Sequence, residues 1–181
     1  MREVSEEKAR AALKRSGTVE LVSLEKHYPS LVVLNVRERR CDAVVSYAGV
    51  ILTMERDGTV ISQPSAMPET DAVYVTGLNV TAWQPGEVVS APASQLEALV
   101  TTLDALYDNA ATGYVSELNV SNPHALYLYP RTGMRVDLGD SADMDDKVLW
   151  MVSVLPDLEA RGETSGRLDV SSGDKADHSP G

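Results

Sequence analysis

The chain has 181 residues, of which 43% are hydrophobic, and a formal net charge of −11. This length suits one domain, or one domain with part of another, and the hydrophobic content excludes wholesale disorder. The negative charge repels phosphates and anionic lipid head groups, which excludes nucleic acid and lipid surfaces as general partners. The one cysteine, Cys41, excludes an internal disulfide and a cysteine-based zinc cluster.

The first forty residues predict a helix followed by two strands. Ser5 is a suitable N-cap, and Gly17 is a suitable residue to end the helix. Apolar residues then alternate with other residues over 18–25 and 31–38, with Pro29 in the turn between them. We expect this helix–strand–strand unit to be part of a small domain whose front half is missing.

Several short strands and a long helix are predicted next. Asp57 and Gly58 form a strong hairpin signal, because glycine accepts a positive φ. The clearest helical pattern covers residues 90–107, where leucines recur at i, i+3 and i+4. Ser90 is expected to cap this helix, with Pro92 in its first turn. The strands are predicted at residues 43–47, 50–54, 59–61 and 73–76.

The remaining residues predict three strands, a helix, one more strand and a disordered tail. Pro156 should kink or end the helix locally. The order of all these elements predicts an α+β fold, with a mainly antiparallel or mixed sheet and helices on one face. The predicted bounds are 114–120, 125–129 and 134–138 for the strands, 141–160 for the helix, 166–171 for the last strand and 173–181 for the tail.

No standard catalytic or metal-binding motif occurs in the sequence, so neither a cofactor nor a metal is predicted. The acidic run at the start of the second long helix could hold Ca²⁺ or supply an acid–base pair. Its spacing differs from that of a calcium loop, and acidic residues also cap helices and complement the helix dipole. We favour this structural role, and a hydrolase using Asp137, Asp140 and Asp143 is the alternative. The run consists of Asp137, Asp140, Asp143, Asp145 and Asp146.

Four segments, taken in order, resemble the FtsQ/DivIB family of bacterial cell-division proteins. The first, VELVSLEKHYPSLVVLNVRER, is similar to the end of that family's POTRA domain, and the others are similar to the β domain that follows it. Their order and spacing together carry the resemblance, which spans nearly the whole chain. The segments are residues 19–39, 43–61, 126–139 and 147–172.

The resemblance implies a division of the chain and a place in the cell. Residues 1–40 would be the C-terminal part of a POTRA-like domain, and residues 41–172 the FtsQ/DivIB-type β domain, before the disordered tail at 173–181. Members of the family are anchored by one transmembrane helix and work on the extracytoplasmic side of the cell membrane at the division septum. No apolar run in this chain approaches the roughly 20 residues of such a helix, so we expect a truncated form of the protein.

The resemblance also implies a non-enzymatic scaffold of the divisome. Its partners would be small single-pass division proteins of the FtsB/DivIC and FtsL types, and one contact would be strand addition to the last β strand. A different POTRA-type module, serving outer-membrane assembly, is a further alternative. The residues that match the last strand, and are therefore the predicted partner-binding site, are Arg167, Leu168, Asp169, Val170, Ser171 and Ser172.

The proposed binding mode requires that this segment forms an open edge of the sheet. An open edge offers unpaired N–H and C=O groups to a partner strand. Val170→Pro is then expected to weaken partner binding while the fold stays intact. Residues 173–181 contain none of the aromatic residues that some members of the family have just after this strand.

Overall fold

The computed structural model describes residues 5–181. These residues form three α-helices, a short 3₁₀ turn at Thr112–Tyr114 and eleven β-strands. The helices are α1 (Glu6–Lys14), α2 (Ala93–Asp108) and α3 (Met144–Ala160). The strands are β1 (Val19–His27), β2 (Leu31–Glu38), β3 (Ala43–Tyr47), β4 (Val50–Met54), β5 (Val60–Ser62), β6 (Val73–Thr76), β7 (Val115–Asn119), β8 (Leu126–Pro130), β9 (Arg135–Gly139), β10 (Arg167–Asp169) and β11 (Asp177–Ser179).

Nine strands form one mixed sheet in the order β11-β10-β9-β8-β7-β6-β3-β4-β5. The β3–β6, β6–β7 and β9–β10 pairs are parallel, and the other five neighbouring pairs are antiparallel. The predicted α+β class with a mainly antiparallel or mixed sheet is therefore confirmed.

The two long helices cover one face of this sheet. Helix α2 connects the parallel strands β6 and β7, helix α3 connects the parallel strands β9 and β10, and the two helices contact each other. One continuous core lies between the sheet and the helices, and it includes Leu118, Leu128, Val136, Leu99 and Met151. Within the described residues, no helix is both long enough and apolar enough to cross a bilayer.

The predicted helix–strand–strand unit is present at the front of the described chain. The Lys8 N–H donates to the Ser5 hydroxyl at 3.3 Å, as expected of an N-cap. Strands β1 and β2 form a separate antiparallel pair with a bulge next to Leu21. Gly17 has φ +70°, and a side chain there would collide with the carbonyl of Ile61 in β5. The close approach to the large sheet therefore requires glycine at this position.

A buried ion-pair cluster joins this unit to the large sheet. Glu55 follows β4 and accepts from Arg39, which lies just after β2; their side chains are only 8% and 11% exposed. The second carboxylate oxygen of Glu55 is 3.1 Å from Nη1 of Arg37. The Arg39 N–H donates to the Thr18 carbonyl at 2.9 Å. The end of β2 is thus joined by ion pairs to the residue that follows β4, and the residue before β1 is hydrogen-bonded to Arg39.

The predicted starts of the two long helices are wrong. Helix α2 begins at Ala93 with Pro92 as its N-cap, because the backbone of Ser90 instead bonds to Thr81 and Ala82. Helix α3 begins at Met144, with Asp143 as an N-cap in the left-handed region. Of the two effects predicted for Pro156, a local end of the helix is excluded, because α3 runs through this residue to Ala160.

The predicted disordered tail is also wrong. Residues 177–179 form β11, which pairs with β10 in an antiparallel register. Ser171 and Ser172 are the central residues of a turn after β10, which the Gly173 N–H closes by donating to the Val170 carbonyl at 3.0 Å. The sequence Ser172-Gly173 is a common turn dipeptide. This additional strand changes the interpretation of the candidate site.

Candidate protein-binding edge of the sheet

The two borders of the nine-stranded sheet differ in how they are covered. At the β5 border, the Val60 N–H donates to the Glu87 carbonyl at 2.8 Å, and the Gly86 N–H donates to the Val60 carbonyl at 2.7 Å. At the other border, β11 is the last strand, and in the part of the chain that the structure describes no strand pairs with its outer side. The β11 border is therefore the open edge of this sheet.

The structure places the predicted partner-binding segment one strand inside this edge. Arg167, Leu168 and Asp169 form β10, which pairs with β9 on one side and with β11 on the other. Val170 is fully buried after β10, and Ser171 and Ser172 lie in the turn that leads to β11. The prediction that these six residues, Arg167, Leu168, Asp169, Val170, Ser171 and Ser172, form an open edge is wrong, because β11 covers it.

Hydrogen bonds show which way the backbone groups of β10 point. The Val170 N–H donates to the Asp137 carbonyl at 3.0 Å, and the Arg135 N–H donates to the Gly166 carbonyl at 3.2 Å. Residues 166, 168 and 170 thus direct their backbone groups toward β9, and residues 167 and 169 direct theirs toward β11. Val170→Pro would therefore break a bond inside the sheet, contrary to the expectation that it leaves the fold intact.

The same alternation identifies the free groups on β11. Residues 167 and 169 face Ser179 and Asp177, which makes these the hydrogen-bonded pairs. His178 lies opposite Leu168 in the non-bonded position, so its N–H and C=O point away from the sheet. Pro180 has the same parity as His178 but carries no N–H. The open edge therefore centres on the backbone of His178.

Three contacts hold β11 and its turn in place. Gly166 has φ +102°, and a side chain there would collide with the carbonyl of Ser179. The indole N–H of Trp150 in α3 donates to the Gly173 carbonyl at 3.1 Å. On the helix side, Nδ1 of His178 lies 3.1 Å from a carboxylate oxygen of Glu163. The edge strand is thus anchored to both β10 and α3.

Charged side chains lie near this edge on the outer face of the sheet, which is the face that the two long helices do not cover. Asp137 is buried beneath Arg135 and Arg167, and the guanidinium of Arg167 also reaches Asp169 at 3.0 Å. The hydroxyl of Ser171 donates to Asp169 at 2.6 Å and holds the pKa of that carboxyl below its usual value. These charges are paired within the sheet.

The outermost charged pair is more exposed. Asp177 of β11 lies 2.7 Å from the ammonium of Lys175, and their side chains are 65% and 63% exposed. The hydrogen bond to Asp177 raises the pKa of Lys175. The sequence analysis missed Asp177, His178 and Ser179, although the Ser-Gly turn dipeptide before them was a usable signal.

The acidic run predicted as a possible hydrolase site does not converge. Asp140 accepts from the ammonium of Lys147 at 3.2 Å, which lowers the pKa of that carboxyl, while Asp137 faces the two arginines described above. Asp143 is exposed at the helix start, and Asp145 accepts from Asn109 at 3.1 Å. Within residues 5–181, no group of three or more His, Cys, Asp or Glu side chains is arranged to hold a metal ion. The hydrolase alternative requires that Asp137, Asp140 and Asp143 converge on one site, and the structure does not bring them together.

Comparison with known proteins finds similarity to a curated cell-division protein and to a solved structure of another. No family model matches the chain. The cell division protein FtsQ of Anaeromyxobacter sp. (strain K) is 25% identical over 160 residues, which are 88% of this chain and 54% of that protein. The chain thus spans about half the length of this curated relative.

The solved structure is the major extracytoplasmic domain of the trans isomer of the bacterial cell division protein DivIB from Geobacillus stearothermophilus. It has a TM-score of 0.43 and 17% identity, and it covers 68% of this chain and 97% of its own. The sequence similarity to FtsQ along most of the chain agrees with the resemblance of the four segments to the FtsQ/DivIB family, and it supports assignment of the chain to that family of cell-division proteins.

Proposed function

We propose that this chain is a non-enzymatic scaffold of the division machinery that binds a small partner protein by strand addition to β11. The partners would be single-pass division proteins of the FtsB/DivIC and FtsL types. The observation that carries this proposal is the open β11 edge, in a chain whose relative is a cell division protein. An added strand would satisfy the outward backbone groups, and its side chains would supply specificity.

The proposed location is the outer side of the cytoplasmic membrane at the division septum. It is supported by the resemblance to the FtsQ/DivIB family and by the similarity to FtsQ, of which the chain spans about half.

The six residues predicted from the sequence retain a supporting role in this proposal. Leu168 and Val170 are fully buried and fix β10 against the core. Arg167 and Asp169 lie on the outer face and are paired in register with Ser179 and Asp177 of the edge strand. A partner that adds to β11 would therefore bind an edge strand whose position is held by its pairing with β10.

His178→Pro is expected to weaken binding of a partner segment by about tenfold or more, because it removes the outward N–H at the centre of the edge. The bonds between β10 and β11 involve Asp177 and Ser179 and are left in place. The measurement is a calorimetric titration with the FtsB/DivIC-like segment encoded in the same genome.

His178→Ala is the matched control for this experiment. It removes the same imidazole, and with it the contact to Glu163, but keeps the backbone N–H. The alanine variant should therefore bind much more tightly than the proline variant. Equal affinity of His178→Pro and the unchanged chain would contradict strand addition at β11.

A further inference from the structure

We propose that the strand that adds to β11 carries a basic side chain, Lys or Arg, next to Asp177 on the outer face of the sheet. This inference rests on the strand addition proposed above and specifies the chemistry of the partner. It follows from the order of charges across β9, β10 and β11.

Pairing in register places three carboxylates in one row that runs to the edge. Asp137 of β9 lies opposite Asp169 of β10, which lies opposite Asp177 of β11. All three share the outer face, since their neighbours Val136 and Leu168 point into the core. The next position in this row belongs to the incoming strand.

The first two carboxylates in the row are already neutralised from within the sheet. Arg135 and Arg167 bind Asp137, and Arg167 also binds Asp169. In the part of the chain that the structure describes, Asp177 has an ion pair only with Lys175, and this pair is mostly exposed to solvent. Such a pair contributes little, so a cation on the partner can replace Lys175 without a large penalty.

A side chain directly opposite Asp177 on an added strand would lie within reach of its carboxylate, because opposite Cβ atoms in a sheet are about 5 Å apart. An acidic side chain at that position would meet Asp177 directly and would be disfavoured. On the other face, the incoming strand would continue the row of Leu168 and His178, so an apolar residue suits that side. The partner segment is thus expected to alternate basic and apolar residues.

The test uses two short synthetic peptides, one alternating valine with lysine and one alternating valine with glutamine. Binding to the intact chain is measured at low and moderate salt. The lysine peptide should bind about two- to fivefold more tightly than the glutamine peptide, and Asp177→Asn should remove that preference.

Asp174→Asn is the matched control, because Asp174 lies in the turn before β11, is exposed and carries the same charge. It changes the net charge equally but lies outside the paired row, so the lysine preference should persist. If Asp174→Asn and Asp177→Asn lowered the lysine preference equally, the preference would come from the general attraction between a cationic peptide and an acidic protein. That result would overturn the inference.

His178→Pro separates this inference from the proposed function. If neither peptide binds to that variant, strand addition is supported. The ratio of the two peptides' affinities for the unchanged chain then decides whether the added strand prefers a basic side chain. Equal binding of the two peptides, or binding of neither, overturns the charge preference. Undiminished binding to His178→Pro overturns the strand addition itself.

Discussion

Replacing Glu55 with alanine is expected to lower the free energy of unfolding by about 3 kcal/mol or more. The carboxylate of Glu55 is the buried partner of Arg39, whose side chain is 11% exposed. Without it, the guanidinium remains inside the protein with its charge uncompensated, and one atom of that group, Nε, is buried without a hydrogen-bond partner in the described structure. Chemical denaturation monitored by tryptophan fluorescence measures the change.

Two variants control for this effect. Glu20→Ala removes a carboxylate that also binds Arg37, but in a largely exposed pair, so the expected loss is below about 1 kcal/mol. A double variant, Glu55→Leu with Arg39→Met, replaces both buried charges by apolar groups and should recover much of the stability. A loss for Glu55→Ala no larger than for Glu20→Ala would show that the cluster does not stabilise the junction.

This junction is relevant to the proposed scaffold because it fixes the position of the helix–strand–strand unit, α1 with β1 and β2, against the large sheet. Arg37 and Arg39 come from the end of β2, Glu55 follows β4, and Gly17 packs against β5. All of these contacts lie at the β5 side of the sheet, and β11 forms the opposite border. The β5 border of the sheet is therefore covered by other parts of the same chain, whereas the β11 border is open.

The elements that the sequence predicts well are those set by neighbouring residues. Ser5 caps α1, as expected, because its hydroxyl needs only the N–H three residues later. The Asp57-Gly58 turn is found between β4 and β5, with the Thr59 N–H donating to the Asp57 carboxylate at 2.8 Å. Short-range geometry of this kind is encoded locally.

The errors concern residues whose backbone or side-chain groups bond to partners that the local sequence pattern does not specify. Ser90 is unavailable as a cap because its backbone pairs with Thr81 and Ala82, about ten residues earlier. The carboxylate of Asp140 is shared between the Ala142 N–H and Lys147. A local pattern contains no information on these competing partners.

The open edge of the sheet lies one strand beyond its predicted position for a similar reason. Strand β11 has three residues in a polar segment, too few for a periodicity to be visible. Its position depends on Gly166, which leaves room for the Ser179 carbonyl, and on Trp150, which holds the turn from α3. The sequence therefore predicts an open sheet edge near the end of the chain, but it does not identify β11 as the strand that forms this edge.

Val170→Pro is expected to destabilise the protein by about 2–3 kcal/mol and to disturb the β10–β11 hairpin. The Val170 N–H donates to the Asp137 carbonyl at 3.0 Å, and Val170 itself is fully buried. Proline removes this donor and leaves a buried carbonyl without its partner, which costs about 1–3 kcal/mol before any steric strain is added. Urea denaturation measures the stability, and amide hydrogen exchange of residues 167–179 measures the opening of the hairpin.

Val170→Ala separates the hydrogen bond from the packing. It keeps the N–H and loses only two buried methyl groups, worth about 1.6 kcal/mol. Because the Val170 N–H bonds to β9, the proline variant should be clearly less stable than the alanine variant. It should also exchange faster at β11, and partner binding should weaken as a consequence of the disturbed hairpin. A proline variant as stable as the alanine variant would instead mean that the bond from Val170 to Asp137 does not stabilise the pairing of β10 with β9.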